Sequence, residues 1–177
     1  MTENKRDLSI SMARANVIVL FLSMPLFVVQ FAIFVLSQEV EDIELTFNPA
    51  LLMIAIILGI ATHEIIHGLS WMVFGHKPLS VIKFGFQWKT LTPYAHLKEP
   101  VEVNVYRIGT FMPGFILGIL PYVLSLLLND GNLFWLGLVH TAGAGGDWLV
   151  LWLIRNVKSG TLVEDHPTNA GCYVLEA

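Results

Sequence analysis

Four long apolar stretches, separated by shorter polar ones, dominate the chain. They run at about 15–36, 50–74, 105–128 and 133–154. Each is about 20 residues or more, the length an α-helix needs to cross ~30 Å of hydrocarbon. The first, Ala15 to Leu36, is too long for the apolar core of a signal peptide. Gln38-Glu39-Val40-Glu41 follows it where a small-residue cleavage site would stand. It reads as a retained span, kinked at Pro25. Pro49 marks the start of the second. The third holds Gly109, Pro113, Gly114, Gly118 and Pro121, so a straight helix is not expected. Its small residues let neighbouring helices approach closely. Asn129-Asp130-Gly131-Asn132 makes a tight polar turn before the fourth.

The pattern changes between the second and third stretches. Val81 to Trp88 and Tyr94 to Lys98 alternate in part and are rich in β-branched and aromatic residues, with Pro78, Pro93 and Pro100 around them. This predicts a short β-hairpin at about 79–99. It is either a structural element at the membrane surface or a strand edge that pairs with an extended substrate. The acidic stretch Ser37 to Asn48 reads as a solvated connection, and Arg155 to Ala177 as a polar tail. The expected fold is an all-α membrane protein. It has four transmembrane helices, a short cytoplasmic-side hairpin between the second and third, and a single domain over 1–177.

Composition strengthens this picture. The chain is 55% hydrophobic and 14% charged, and its mean hydropathy is +0.66; soluble domains carry about 25% charged residues. With Cys172 as the sole cysteine, no intrachain disulfide can form. The charges also orient the chain. All ten Lys and Arg residues fall before the first span, between the second and third or at the start of the third, or after the fourth. The two opposite loops carry only acids: Glu39, Glu41, Asp42, Glu44 and Asp130. By the positive-inside rule both termini and the hairpin are cytoplasmic.

The candidate chemistry lies in the second stretch, at His63-Glu64-Ile65-Ile66-His67. Two imidazoles four residues apart share one helix face, one turn apart, and can reach one Zn²⁺. Glu64 is placed to act as general base on the attacking water. Ionisable groups inside a bilayer are costly and therefore read as functional. A catalytic zinc needs a third protein ligand. Ser70 and Val73 stand where an extended soluble-type motif would have Gly and His. Glu99 and Glu102 belong to the cytoplasmic segment, which leaves His140 and Asp147 in the fourth stretch. Depth separates these two. His63 lies 13 residues after Ala50, Asp147 14 after Leu133, and His140 only 7. At 1.5 Å per residue Asp147 is level with His63 and His140 is about 10 Å away. Asp147 is the preferred ligand. His140 is a second residue around the site or along a substrate channel, or simply a histidine satisfied by a neighbouring helix. Gly143, Gly145 and Gly146 serve close packing, or leave room beside the carboxylate, or both.

These residues carry a family likeness. His63-Glu64-Ile65-Ile66-His67 in one membrane helix and Asp147 in a later one resemble the site-2-protease group of intramembrane zinc metalloproteases. The whole chain, with its hairpin region, Gly145-Gly146-Asp147 and Asp165-His166-Pro167, is similar to the small bacterial membrane proteins grouped as zincin peptidases. The resemblance implies a zinc peptidase of the bacterial cell membrane, with ligands His63, His67 and Asp147 and catalytic Glu64. Gly146-Asp147-Trp148 stands where the site-2 pattern has Asp-Gly preceded by Asn-Pro, and no regulatory domain is appended. The expected partners are the lipid bilayer and a membrane-protein or peptide substrate, not nucleic acid. His140 and Asn104 are the only guesses at a second oxyanion donor. The alternative is a non-catalytic metal-binding membrane protein that moves metal or helps assemble a partner.

Overall fold

The computed structural model describes residues 4–38, 48–89 and 91–176. The acidic stretch read as a solvated loop falls largely outside them, at 39–47. Helices α1 (Met12–Ser37) and α2 (Pro49–Gly75) are 26 and 27 residues long, about 40 Å each. Asn48 starts α2: its side chain accepts from the Leu51 N–H at 3.0 Å, and Pro49 fills the first turn. In the most apolar 18-residue stretch of each helix, only 11% of residues are buried. So continuous an apolar exterior suits lipid rather than water. A third rod joins α3 (Val103–Pro113), a π-helical turn at Gly114–Ile119 and α4 (Leu120–Leu128). Pro113 and Pro121 each remove a backbone donor, and the wider turn between them absorbs the mismatch.

The fourth apolar stretch corrects the expectation of four transmembrane helices. It is broken into α5 (Gly131–Gly143) and α6 (Gly145–Leu153), with Ala144 between them at φ −76°, ψ 9°. Three of the four residues Gly143 to Gly146 are glycines, which pay the largest entropy cost to enter a helix. Among the described residues, three helices are long and apolar enough to cross a membrane. The small residues do bring backbones together. A Cβ at Gly118 would lie 2.7 Å from the Thr141 nitrogen, and one at Gly137 2.5 Å from that of Tyr122.

The all-α expectation is also overturned. The hairpin is present as β2 (Ile82–Gln87) and β3 (Thr92–Leu97), paired antiparallel. A second, four-stranded sheet contains β1 (Asn4–Ile10), β4 (Val101–Glu102), β5 (Leu162–Asp165) and β6 (Ala170–Glu176) in the order β1-β6-β5-β4. Its strands are short, and Leu8 pairs with Cys172 from the far end of the chain. No local pattern announces such a pairing. The polar tail is therefore half of a sheet, and both chain ends lie on one side. Val101, Val163, Cys172 and Val174 pack with Leu97, Trp71, Tyr106, Val150 and Ile154 in one buried cluster. The sheet thus forms a cap over the ends of α2, α3 and α6. Beneath it the Arg107 guanidinium ties α3 to the end of α6, donating at 2.7 Å to the carbonyls of Ile154 and Val157.

Candidate metal centre

Helix α2 sets His63 and His67 on one face, with ring centroids 4.9 Å apart. The break at Ala144 starts α6 so that Asp147 falls in its first turn, facing them. His63 Nε2 lies 2.9 Å from Asp147 Oδ2, and His67 Nε2 3.3 Å from Oδ1. The Trp148 indole supports the break by donating to the Thr141 carbonyl at 3.0 Å. His67 is fixed from behind. Its Nδ1 lies 2.9 Å from the Gly109 carbonyl, and Trp71 stacks on its ring at 5.6 Å. Gly109 makes this contact possible, since a Cβ there would sit 2.1 Å from Trp71 Nε1.

The donor set fits a metal. The bond from Nδ1–H to the Gly109 carbonyl places the His67 proton on Nδ1, so Nε2 presents a lone pair. That lone pair faces Asp147 Oδ1, and the buried Asp147 Oδ2, although 2.9 Å from His63 Nε2, makes no hydrogen bond of proper geometry. With both imidazoles neutral at Nε2, the three ligand atoms lie within 4.8 Å of one another and repel unless a proton or a metal cation bridges them. Two imidazole nitrogens and one carboxylate oxygen are the ligand types of a catalytic Zn²⁺ with an open fourth position. Glu64 lines the same cavity, and the Ala95 backbone hydrogen-bonds to it.

The cavity, about 510 Å³, reaches from Ile60 and His140 past His63, His67 and Asp147 to the loop 165–171 under the cap. His140 lines it but stands outside the three-residue group. Asn104 is elsewhere, bonded to Arg107 at 2.8 Å. The two glutamates set aside from the sequence have structural partners. Glu99 pairs with Lys77 at 3.0 Å, and Glu102 caps α3 through the N–H groups of Asn104 and Val105. The glycines divide their work. Gly145 packs against Val19, whereas a Cβ at Gly143 or Gly146 would meet no atom within 4 Å.

Sequence reasoning missed the group at the cap end of the cavity. Asp165 pairs with His96 Nδ1 at 2.9 Å and accepts from the Tyr106 hydroxyl at 2.8 Å and the Leu97 N–H at 3.2 Å. Tyr106 in turn stacks on Trp71 at 6.1 Å. The signal was Asp165-His166-Pro167, a polar cluster in a stretch read as tail. His166 is structural: its Nδ1 accepts the N–H groups of Thr168 and Asn169 and folds the loop. The group also bears on the hairpin edge. Lys98 N–H donates to Val81, so alternation turns the backbone of 93, 95 and 97 away from β2. Pro93 has no N–H, Ala95 bonds Glu64 and Leu97 bonds Asp165. An added strand on that edge finds no free donor at these three positions.

Residues 56–162, more than half of the chain, match a family described as "Putative zincin peptidase". No curated protein and no solved structure matches.

Proposed function

The chain belongs to that zincin-peptidase family, and from this premise we propose that it is a membrane-embedded zinc metallopeptidase of the site-2-protease type. Its substrates are peptide bonds of membrane proteins. One observation carries the reading. Two imidazole nitrogens from the span-length helix α2 converge on the buried Asp147 carboxylate of α6, and Glu64 lines the same cavity. His63 Nε2, His67 Nε2 and Asp147 would hold Zn²⁺. When bound, Zn²⁺ supplies Lewis acidity, easing loss of a proton from water and polarising the scissile carbonyl.

The chain's own groups do the rest. Gly109 and Trp71 hold His67 in its orientation. The Glu64 carboxylate takes the proton of the attacking water and returns it to the departing amine nitrogen. The N–H of Ala95 keeps that carboxylate aimed into the cavity. The substrate is read as an extended segment, because a helical carbonyl is already engaged by its own helix. It lies in the cavity under the hairpin rather than as a strand added to β3, whose outward donors are engaged. The cap and both chain ends face the cytoplasm, by the distribution of basic residues.

The test is metal analysis beside peptide hydrolysis, on full-length protein in lipid nanodiscs. Wild type holds one zinc per chain and cleaves; Asp147→Ala and His63→Ala lose the zinc; Glu64→Gln keeps the zinc and cleaves nothing. Full zinc in Asp147→Ala, or hydrolysis by Glu64→Gln, overturns the reading. Zinc in a wild type that cleaves nothing favours the non-catalytic metal-binding alternative.

A further inference from the structure

The cap end of the cavity holds a group with no part in that chemistry. His96, Tyr106 and Asp165 all line it. Strand β3 sets their place relative to Glu64. The N–H groups of Ala95 and Leu97 leave the same edge of the strand, two residues and so about 7 Å apart. The first bonds Glu64 and the second Asp165. The general base and the Asp165 carboxylate therefore hang from successive outward positions of one strand. Asp165 is fixed on both oxygens. Oδ2 accepts from Leu97 and Oδ1 from the Tyr106 hydroxyl, and Tyr106 stacks on Trp71, which stacks on His67. His96 Nδ1 lies 2.9 Å from Oδ2. Facing a carboxylate, Nδ1 carries the ring proton, which leaves the lone pair on Nε2. Among the described residues Nε2 has no hydrogen-bond partner, and unlike His140 Nε2 it is not buried. The His96 side chain is 22% exposed. It is an open acceptor in the wall of the cavity, on a rigid mount.

An extended substrate needs such acceptors. Its N–H groups have left their helix, and at span depth no bulk water replaces the lost carbonyls. A peptide whose scissile bond lies beside Glu64 passes His96 about two residues further on. We propose that His96 Nε2 accepts a hydrogen bond from a substrate backbone N–H at that position, with Asp165 holding the ring in place. The ligand is an extended peptide backbone, and a residue without an N–H there is disfavoured. The proposal rests on the peptidase reading.

The experiment uses two zinc-binding peptides that extend to opposite sides of the metal, benzyloxycarbonyl-Leu-Leu-Leu hydroxamate and N-hydroxysuccinamoyl-Leu-Leu-Leu amide. Each backbone N–H is exchanged in turn for an ester oxygen, which keeps the shape and removes one donor. Affinities are measured on full-length protein in nanodiscs, with zinc content determined on the same samples. In wild type one exchange weakens binding about fivefold more than the others. His96→Leu keeps its zinc and loses that excess, whereas His96→Gln, whose amide oxygen accepts, keeps part of it. Should His96→Leu fail to fold, His96→Phe takes its place. A zinc-loaded wild type in which no exchange stands out, or an excess undiminished in the apolar variant, overturns the role of His96 and leaves the peptidase reading standing. So does zinc-loaded wild type that binds neither peptide. A wild type without zinc overturns both.

Discussion

The span helices and the cap use the same apolar residue types in opposite directions. On α1, Leu20 and Phe21 are 65% and 72% exposed. In the cap, Leu97, Val163 and Cys172 are fully buried. Polar groups differ as well. In the cap Asp165 has three partners within 3.2 Å, whereas at span depth the Asp147 carboxylate faces only two imidazoles, and its Oδ2 makes no hydrogen bond of proper geometry. The difference teaches where each kind of energy resides. The cap is held as a soluble core is, by burial and satisfied hydrogen bonds. The helices present their apolar surface to lipid, and the unsatisfied polar groups among them mark the place where a ligand is needed.

The sharpest way to break this contrast is to truncate one leucine from each region. Leu97→Ala removes a fully buried side chain from the cap cluster and should cost about 2–5 kcal/mol of stability. Leu20→Ala alters only the lipid-facing surface of α1 and should stay within about 0.5 kcal/mol. Thermal unfolding in nanodiscs compares them. Equal losses would mean that α1 is packed against protein and the apolar exterior has been misread.

A smaller effect separates glycines that pack from glycines that leave space. Gly118→Ala drives a methyl to within 2.7 Å of the Thr141 backbone and should destabilise by about 1–3 kcal/mol. Gly146→Ala meets open cavity and relieves a helix position of glycine's entropy cost, so stability should hold or rise by up to about 1 kcal/mol. A destabilising Gly146→Ala would show that the cavity beside Gly146 closes in the working protein.

The contrast also explains what could be read from the sequence. The spans at 15–36, 50–74 and 105–128 and the His63-Glu64-His67 face were legible because hydropathy and helical spacing are local signals. Counting depth put Asp147 level with His63, and the structure brings its carboxylate to both imidazoles, although the break at Ala144 makes its helix two pieces; a kink in one stretch shifts depth little. The cap was illegible for the opposite reason. Its strands are two to seven residues long, and two of its three pairings, β1 with β6 and β4 with β5, join distant parts of the chain. Asp165 gained meaning only when β5 carried it to His96 and Tyr106. The seat of the His140 ring depends on an absent side chain at Gly59, which no motif records.

Cys172 offers the finest probe of the contrast, with an expected effect near zero. It sits in β6 opposite Leu8, fully buried. Burial, with Asp165 and Asp7 nearby, pushes its thiol up to about 12. Only a thiolate attacks a maleimide, so at pH 8 about one molecule in ten thousand is reactive, against a substantial fraction for a free thiol near 8.5. The folded-state value is raised, so the thiol's contribution to stability is whole below about 8.5 and is lost as pH climbs toward 12. Labelling at neutral pH should therefore follow opening of the cap and nothing else. Leu97→Ala should speed it and Leu20→Ala should not. If the thiol of the intact protein reacts as fast as a free cysteine, β1 does not cover β6. The cap would then lack the closed core that sets it apart from the helices beneath it.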